Sequence, residues 1–323
     1  MRKITALMCV LALSIAQQVS ARPHSAAVSD STDNCYDSTD STQIRLWNGD
    51  APGAIGTDVC QDVPYLQVFP AANGDPSAPA MLVIPGGGYD NLTNTKEQTP
   101  VGNYFSQKLN ITTFVLYYRL VQTDGSGSYR YPVPMWDGQR AIKLLRSRAR
   151  DLHIDPNRIG VFGFSAGGHL ASTLALHPDF NFGLPASDSI DVSSAKVNTL
   201  GLGYPVISMD TSQSFGVTNS GKNLLTGYTG AELNNLQHFL SGQYNVGQNT
   251  PPVFLFVSMD DQRIDPQNSV VFRDALNAAA VSNDTHLFAH GAHGVGLATN
   301  QPEEKVWPEQ FHQWLVRQHF LNK

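Results

Sequence analysis

Two kinds of apolar pattern alternate along the chain. Short runs rich in Val, Ile, Leu and Phe predict strands, and unbroken apolar runs are typical of strands buried inside a parallel sheet. These runs cover residues 80–84, 112–117, 159–162, 199–203, 253–257 and 285–289. Residues 44–47 and 65–69 alternate apolar and polar positions, which predicts two half-buried strands before the first buried one.

Longer segments between these runs have apolar residues at helical spacing. The clearest is residues 306–321, where Trp307, Phe311 and Trp314 recur every three or four positions. Further helices are predicted at residues 99–109, at 135–149, from Ala166 onward and at 268–280. Strands that alternate with helices predict an α/β fold with one doubly wound, mostly parallel sheet, which we assign to a single domain at residues 44–323.

Residues 205–252 interrupt this alternation. The segment is long, polar and rich in Gly, Asn, Ser and Thr, with one short helical pattern at residues 232–240. Long inserted segments in compact domains usually act as lids or binding loops. We therefore predict that residues 205–252 form a lid or a binding insertion at the entrance of a site.

A strand-to-helix turn provides the first chemical signal. Residues 163–167 read Gly-Phe-Ser-Ala-Gly, the G-x-S-x-G pattern of a nucleophile elbow, between a predicted strand and a predicted helix. Such a turn holds Ser165 in a strained backbone conformation, and glycines on both sides let the strand and the helix pack closely. The pattern also occurs in ordinary glycine-rich turns, but the strand before it and the helix after it favour the elbow.

A second glycine-rich loop follows the strand at residues 80–84. It reads Pro-Gly-Gly-Gly-Tyr and ends at Tyr89. Without side chains, successive glycines let backbone N–H groups approach a ligand directly. We predict that Gly87 and Gly88, with Ala166 directly after the serine, donate hydrogen bonds to an oxyanion. A flexible turn is the alternative explanation for Gly87 and Gly88.

A serine hydroxyl needs a base, and the base needs an orienting carboxylate. Where an elbow serine is used, the acid and then the histidine follow it along the chain. His293 lies deep in a glycine-flanked loop after the last predicted strand, so we predict it as the base and His290 as structural. For the acid, Asp260 and Asp261 both follow residues 253–257, and Asp265 is a more distant candidate. Both loops follow carboxyl ends of strands, where open α/β sheets place their sites.

Several motifs together resemble the α/β-hydrolases grouped as acetyl esterases and acetylxylan esterases, which are related to feruloyl esterases. The resemblance covers residues 44–318. Its motifs are Pro85-Gly-Gly-Gly-Tyr89, Asp137 with residues 140–146, Asp155-Pro-Asn-Arg-Ile-Gly160, Gly163-Phe-Ser-Ala-Gly-Gly-His-Leu-Ala171, Leu224-Leu-Thr-Gly227, Pro251-Pro-Val-Phe-Leu255 and Ala292-His-Gly-Val-Gly-Leu297.

This resemblance has consequences for the site and the activity. It implies an α/β-hydrolase fold. The spacing of the residues that follow the acid in the family motif favours Asp261 over Asp260, although Asp265 departs from the family pattern. Pro85 stands where relatives similar to hormone-sensitive lipase carry histidine, which indicates the acetylxylan esterase branch. For Asp137, the resemblance implies a role in fixing a loop or helix, and plain solvent exposure is the alternative.

The implied function is a serine ester hydrolase that removes acetyl groups from plant cell-wall polysaccharide such as xylan. The alternatives are a feruloyl or other short-chain esterase, a serine peptidase, or a non-catalytic binding protein on the same fold. We expect no cofactor and no catalytic metal, because the sequence has no H-E-x-x-H motif and no Cys/His ligand cluster.

Composition and the first residues bear on partners and location. The net charge of −6 and the lack of a basic stripe argue against a nucleic-acid partner. Arg2 and Lys3, an apolar stretch at residues 6–16 and Val19-Ser20-Ala21 predict a signal peptide at residues 1–21, hence secretion. Gln17 and Gln18 interrupt the apolar stretch, so we expect no membrane anchor. We also expect a monomer.

A Ser/Thr/Asp-rich leader at residues 22–43 follows the predicted signal peptide. Since Cys9 would leave with that peptide, Cys35 and Cys60 remain and are predicted to form a disulfide, with two free buried thiols as the alternative. Three glycosylation sequons begin at Asn91, Asn110 and Asn283.

Overall fold

An eight-stranded sheet forms the centre of the computed structural model, which describes residues 34–93, 95–122, 128–184 and 186–322. The spatial order is β1-β2-β4-β3-β5-β6-β7-β8. Strands β1 and β2 pair antiparallel with their neighbours, and β3 to β8 run parallel. The strands are β1 (Gln43–Arg45), β2 (Tyr65–Phe69), β3 (Ala78–Ile84), β4 (Thr112–Tyr117), β5 (Ile154–Phe164), β6 (Thr199–Gly203), β7 (Val253–Ser258) and β8 (Asn283–Phe288).

Helices cover both faces of the sheet, as side-chain alternation along β5 shows. Phe162 packs against Phe311 with ring centroids 5.0 Å apart, whereas the adjacent Gly163 faces the helix that begins at Ser165. Because successive residues of a strand point to opposite faces, these contacts lie on opposite sides. The helices are α1 (Thr99–Lys108), α2 (Val133–Ser147), α3 (Ser165–Leu176), α4 (Asn219–Leu224), α5 (Gly230–Leu240), α6 (Gln267–Ala278) and α7 (Trp307–Arg317).

The predicted α/β architecture with a mostly parallel sheet is confirmed. Strands β2, β4 and β6 have the predicted bounds, but β5 begins at Ile154, earlier than the apolar run alone indicated. Helix α4 was not predicted. It is short and polar, with only Ser220 and Leu224 buried, so it has no apolar period to detect. It begins where the hydroxyl of Thr218 accepts a hydrogen bond from the amide of Gly221 at 3.0 Å.

A buried ion pair fixes α2 to the chain that leaves β4. The side chains of Arg119 and Asp137 are 1% and 0% exposed, and their closest N–O distance is 2.7 Å. Asp137 also accepts a hydrogen bond from the backbone amide of Arg119 at 2.9 Å. Burial raises the pKa of Asp137, while the charge and hydrogen bonds of Arg119 oppose that rise. Asp137 therefore has the structural role that the resemblance implied, and the alternative of solvent exposure is wrong.

The described part of the predicted leader is attached to the sheet domain by a disulfide. Cys35 and Cys60 are bonded as predicted, and the amide of Tyr36 donates to the carbonyl of Val59 at 2.8 Å. The predicted signal peptide at residues 1–21, and residues 22–33 of the leader, lie outside the described residues. Within the described ranges, no helix is both long enough and apolar enough to cross a membrane.

Replacing Asp137 by alanine should lower the free energy of unfolding by about 3–5 kcal/mol, because it leaves the charge of Arg119 buried without its partner. Urea denaturation measures the loss. The control is Asp274→Asn, which breaks the exposed pair between Arg273 and Asp274 and should cost no more than about 1 kcal/mol. A loss below about 1 kcal/mol for Asp137→Ala would show that the pair does not hold α2 in place.

Candidate active site

Ser165 stands at a sharp turn between β5 and α3. Phe164 is still extended, with φ −115° and ψ 138°, whereas Ser165 has a φ of 51° and is the first residue of the helix. A non-glycine residue at positive φ is strained, and it persists only where the surrounding structure holds it. This is the backbone geometry of a nucleophile elbow, and it places the serine at the carboxyl end of β5.

Two glycines make this turn possible. A Cβ on Gly163 would lie 2.2 Å from the carbonyl oxygen of Gly167, and a Cβ on Gly167 would lie 2.2 Å from the carbonyl oxygen of Ile84. Both contacts involve backbone atoms, which cannot move aside as a flexible side chain can. The two positions therefore bring β3, β5 and α3 into direct backbone contact around the serine.

Three side chains from distant loops form one hydrogen-bonded line. The hydroxyl of Ser165 lies 2.8 Å from Nε2 of His293, and Nδ1 of His293 lies 2.7 Å from Oδ2 of Asp261. A carboxylate can only accept, so Nδ1 carries the proton and Nε2 is free to accept from the serine. The side chains of His293 and Asp261 are 10% and 1% exposed, so the line is largely shielded from water.

The two adjacent aspartates have different surroundings. Oδ1 of Asp261 accepts from the backbone amides of Arg263 and Ile264, at 2.8 and 3.1 Å, which orients its other oxygen toward His293. Asp260 instead accepts from the amide of Gly291 at 2.8 Å and lies 3.1 Å from Nδ1 of His290. The hydrogen bond from Gly291 is the main reason that the pKa of Asp260 is lowered.

The other two candidates, His290 and Asp265, do not join the line. The side chain of His290 is 79% exposed and its only polar side-chain contact among the described residues is with Asp260. Asp265 accepts from the amide of Gln267 at the start of α6. The structure thus brings together Ser165, His293 and Asp261.

The glycine loop lies beside the serine. Gly87 and Gly88 line the same cavity as Ser165 and His293, and their φ values of 125° and 68° are ones that glycine adopts readily. Within the described residues, neither of their amides donates a hydrogen bond to another protein group. Ala166 is fully buried behind the serine in the first turn of α3. Its amide is one of those that an α-helix leaves without an internal acceptor.

The cavity over the serine has a volume of about 510 Å³ and a mainly polar wall. Only Val217 and Ile264 contribute purely aliphatic side chains, and the imidazole of His293 is the one aromatic ring among the described lining residues. One wall comes from the insertion at residues 205–252, where Asn223 of α4 donates to the carbonyl of Gly88 at 2.9 Å. Part of this insertion therefore borders the site, and its role as a lid stays a prediction.

Residues that sequence reasoning missed lie directly beneath the site. Glu97 is buried, lines the cavity and accepts hydrogen bonds from the amide of Gly86 and the hydroxyl of Tyr204. The ring of Tyr204 lies 4.8 Å from that of His293. Tyr204 directly follows β6, so the rule that sites form at carboxyl ends of strands could have singled it out. Nothing in the local sequence around Glu97 indicates that it is buried.

A second histidine fixes the glycine loop to α3. Nε2 of His169 lies 2.8 Å from the carbonyl oxygen of Leu240, which can only accept, so this nitrogen carries the proton. Nδ1 then accepts from the hydroxyl of Tyr89 at 2.7 Å. Burial lowers the pKa of His169 to about 4, so the ring is neutral at neutral pH and Nδ1 stays an acceptor.

The predicted sequons differ in their surroundings. Asn91 is exposed on the cavity wall, and Asn110 is exposed just after α1. The amide of Asn283 already donates to Asn277 and to the carbonyl of Val281. Glycosylation at each position stays a prediction. Among the residues that the structure describes, no group of three or more His, Cys, Asp or Glu side chains is arranged to hold a metal ion.

The sheet order, the elbow and the three converging loops define an α/β-hydrolase fold. The chain matches the BD-FAE family over residues 66–276 and belongs to that family. This confirms the resemblance to the acetylxylan esterase group of α/β-hydrolases that the motifs indicated.

Relatives with known names support this assignment. The chain is 31% identical to an acetylxylan esterase of Xylanibacter ruminicola over 70% of its own length, and 29% identical to the endo-1,4-beta-xylanase B of Butyrivibrio fibrisolvens over 71%. It spans only 42% and 34% of the lengths of these two proteins. Among solved structures, an acetyl ester-xyloside bifunctional hydrolase from Caldicellulosiruptor lactoaceticus superposes with a TM-score of 0.76 at 34% identity, over 87% of this chain and 97% of that one.

The protonation of His169 should make the protein less stable in acid. The unfolded chain binds a proton near pH 6.5 and the folded one near pH 4, so stability from this residue is present above pH 6.5 and is lost as pH falls toward 4. The shift corresponds to about 3 kcal/mol. Urea denaturation between pH 7 and pH 4 should show this loss in wild type and not in His169→Gln. A stability gap between the two proteins that stays constant with pH would contradict the assignment.

Proposed function

We propose that this chain is a serine ester hydrolase in which Ser165 is the nucleophile, His293 the general base and Asp261 the orienting acid. The observation that supports it most is the hydrogen-bonded line from Ser165 through His293 to Asp261, with both distances below 3 Å. This arrangement lets an imidazole take the serine proton while a fixed carboxylate stabilises the imidazolium that forms. The strained turn at Ser165 independently supports its role as the nucleophile.

The proposed reaction has two halves. Oγ of Ser165 attacks the ester carbonyl carbon as Nε2 of His293 takes the hydroxyl proton, and the carbonyl oxygen becomes an oxyanion. The amides of Gly87, Gly88 and Ala166 donate hydrogen bonds to that oxyanion. The tetrahedral intermediate collapses, the C–O bond to the alcohol breaks, and His293 gives its proton to the leaving oxygen. Water, deprotonated by His293, then attacks the acyl carbon, the bond from that carbon to Oγ of Ser165 breaks to release the acid, and His293 returns the proton to Oγ.

We propose acetyl groups on plant cell-wall polysaccharide, such as xylan, as the substrate. One relative is named an acetylxylan esterase, and a solved structure of similar fold is named an acetyl ester-xyloside bifunctional hydrolase. The polar wall of the cavity also suits a leaving group rich in hydroxyls, because such groups need hydrogen-bonding partners. A feruloyl group carries an aromatic ring, and apart from the imidazole of His293 the described wall offers it only the aliphatic side chains of Val217 and Ile264.

We also propose that the enzyme works outside the cell. The Cys35–Cys60 disulfide supports this, since disulfides persist mainly in oxidising compartments. An extracellular location would bring the enzyme to a polymeric cell-wall substrate. We propose a monomer as the working state.

Replacing Ser165 by alanine should lower kcat/KM for p-nitrophenyl acetate by about 10⁴-fold or more, as removal of a triad nucleophile does. A fluorophosphonate probe should label wild type at Ser165 and leave the variant unlabelled. The matched control is Ser172→Ala on the same helix, where the hydroxyl donates to the carbonyl of His169 and has no other hydrogen bond among the described residues. Equal turnover by wild type and Ser165→Ala would exclude the proposed mechanism.

Substrate preference should follow the polar wall of the cavity, which has no Phe, Tyr or Trp side chain among its described residues. We expect kcat/KM for acetyl esters to exceed that for feruloyl esters by about tenfold or more, and we expect no turnover of aminoacyl anilides. Release of acetate from acetylated xylan, measured beside feruloyl arabinoxylan, checks this. Faster release of ferulate than of acetate would reverse the assignment of substrate while leaving the ester hydrolase proposal intact.

A further inference from the structure

Glu97 is a buried acid that the proposed mechanism does not use. The residue is 1% exposed and lies between the glycine loop and α1, yet it reaches the wall of the cavity. Its Oε2 accepts a hydrogen bond from the amide of Gly86 at 2.7 Å, directly before the two glycines assigned to the oxyanion. Burying a carboxyl group costs free energy unless the group is hydrogen-bonded, so the partners of Glu97 are part of the reason that it stays buried.

The other oxygen of Glu97 reaches the loop that carries the base. Oε1 accepts from the hydroxyl of Tyr204 at 2.9 Å, and the same hydroxyl oxygen accepts from the amide of Gly296 at 2.9 Å. Gly296 stands three residues after His293. The chain of contacts therefore runs from the oxyanion loop through Glu97 and Tyr204 to the loop of His293.

Residues 96–97 pack closely against both the glycine loop and the loop of His293, so the positions of these loops depend on this segment. A Cβ on Gly86 would lie 2.8 Å from Cβ of Ser165 and 3.0 Å from Oε2 of Glu97. A Cβ on Gly296 would lie 2.3 Å from the carbonyl oxygen of Lys96. Both loops thus touch residues 96–97 directly, so a shift of Glu97 must move at least one of them.

The groups around Glu97 are suited to a carboxylate acting as an acceptor. Burial raises the pKa of Glu97, and the hydrogen bonds from Gly86 and Tyr204, the positive charge of His293 when it is protonated and the charge of Lys96 oppose that rise. The phenol of Tyr204 keeps its proton because burial, followed by the charge of Glu97, raises its pKa far above the usual value. Tyr204 therefore remains a donor toward Glu97.

We propose that Glu97 is a positioning residue for the ester hydrolysis reaction, which holds the Gly86–Gly88 loop and the His293 loop at a fixed separation through Gly86 and through Tyr204 and Gly296. This inference rests on the proposed function. In this role the carboxyl of Glu97 keeps the oxyanion donors aligned with the base. Misplacement by about 1 Å at a reacting centre can lower the rate by about 10²-fold.

The test uses Glu97→Gln, Glu97→Ala, Tyr204→Phe and the double variant Glu97→Ala/Tyr204→Phe in the full chain. With p-nitrophenyl acetate we expect kcat to fall about tenfold for Glu97→Gln and about 10²-fold for Glu97→Ala, with KM within about twofold of wild type. The double variant should be no slower than Glu97→Ala alone, because the two residues act as one unit. The control is Tyr129→Phe, which removes a buried hydroxyl bonded to Asp62 and away from the cavity, and should leave kcat and KM unchanged.

Circular dichroism and thermal unfolding establish that each variant is folded. If Glu97→Ala does not fold, Glu97→Gln and Tyr204→Phe still test the inference, because both keep the volume of the site. Unchanged kcat in both of these variants, a rise in KM alone, or losses that multiply in the double variant would each overturn the inference.

A readout that needs no turnover separates this inference from the proposed function. The proton on Nδ1 of His293, hydrogen-bonded to Asp261, should give a downfield NMR signal that shifts or broadens in Glu97→Gln and is unchanged in Tyr129→Phe. If wild type neither turns over esters nor reacts with fluorophosphonate, the proposed function fails, and this signal still decides whether Glu97 positions the histidine. An identical signal in Glu97→Gln and wild type would contradict the positioning role.

Discussion

The close backbone contact among β3, β5 and α3 is the constraint on which the rest of the site depends. No side chain fits at Gly163 or Gly167, because a Cβ at either position would strike a backbone carbonyl at 2.2 Å. That contact holds Ser165 at a φ of 51° and brings the loop after β3 against the start of α3. The serine and the glycine loop are adjacent because the two parallel strands that carry them are paired neighbours.

Buried polar groups then hold the loops around this turn. Asp261 accepts from two backbone amides and from His293, while His169 joins Tyr89 to the carbonyl of Leu240. Each of these side chains forms hydrogen bonds with loop backbone groups or with a side chain from another loop. Since an unpaired buried polar group costs free energy, such contacts favour one arrangement of the loops over many.

The insertion at residues 205–252 takes part in the same arrangement. Asn223 of α4 donates to the carbonyl of Gly88, and the carbonyl of Leu240 at the end of α5 accepts a hydrogen bond from His169. A segment that looks like a polar interruption of the fold therefore contacts the glycine loop at one point and α3 at another. This link explains how an insertion can shape a site without supplying any member of the Ser165, His293 and Asp261 line.

The sequence alone determined the class of fold, because unbroken apolar runs and apolar residues at helical spacing show locally which positions are buried. It also picked out Ser165, because an elbow needs glycines at fixed positions. Residue reasoning left Asp260 and Asp261 as the main candidates for the acid, with Asp265 as a more distant one, and the resemblance preferred Asp261. Only the tertiary structure decided which carboxylate reaches His293, since adjacent residues point in different directions and their backbone partners come from the fold. It alone revealed Glu97, helix α4 and the pairing of Asp137 with Arg119. These features depend on contacts between residues far apart in the chain, and no local pattern records whether an isolated acid is exposed or buried among donors.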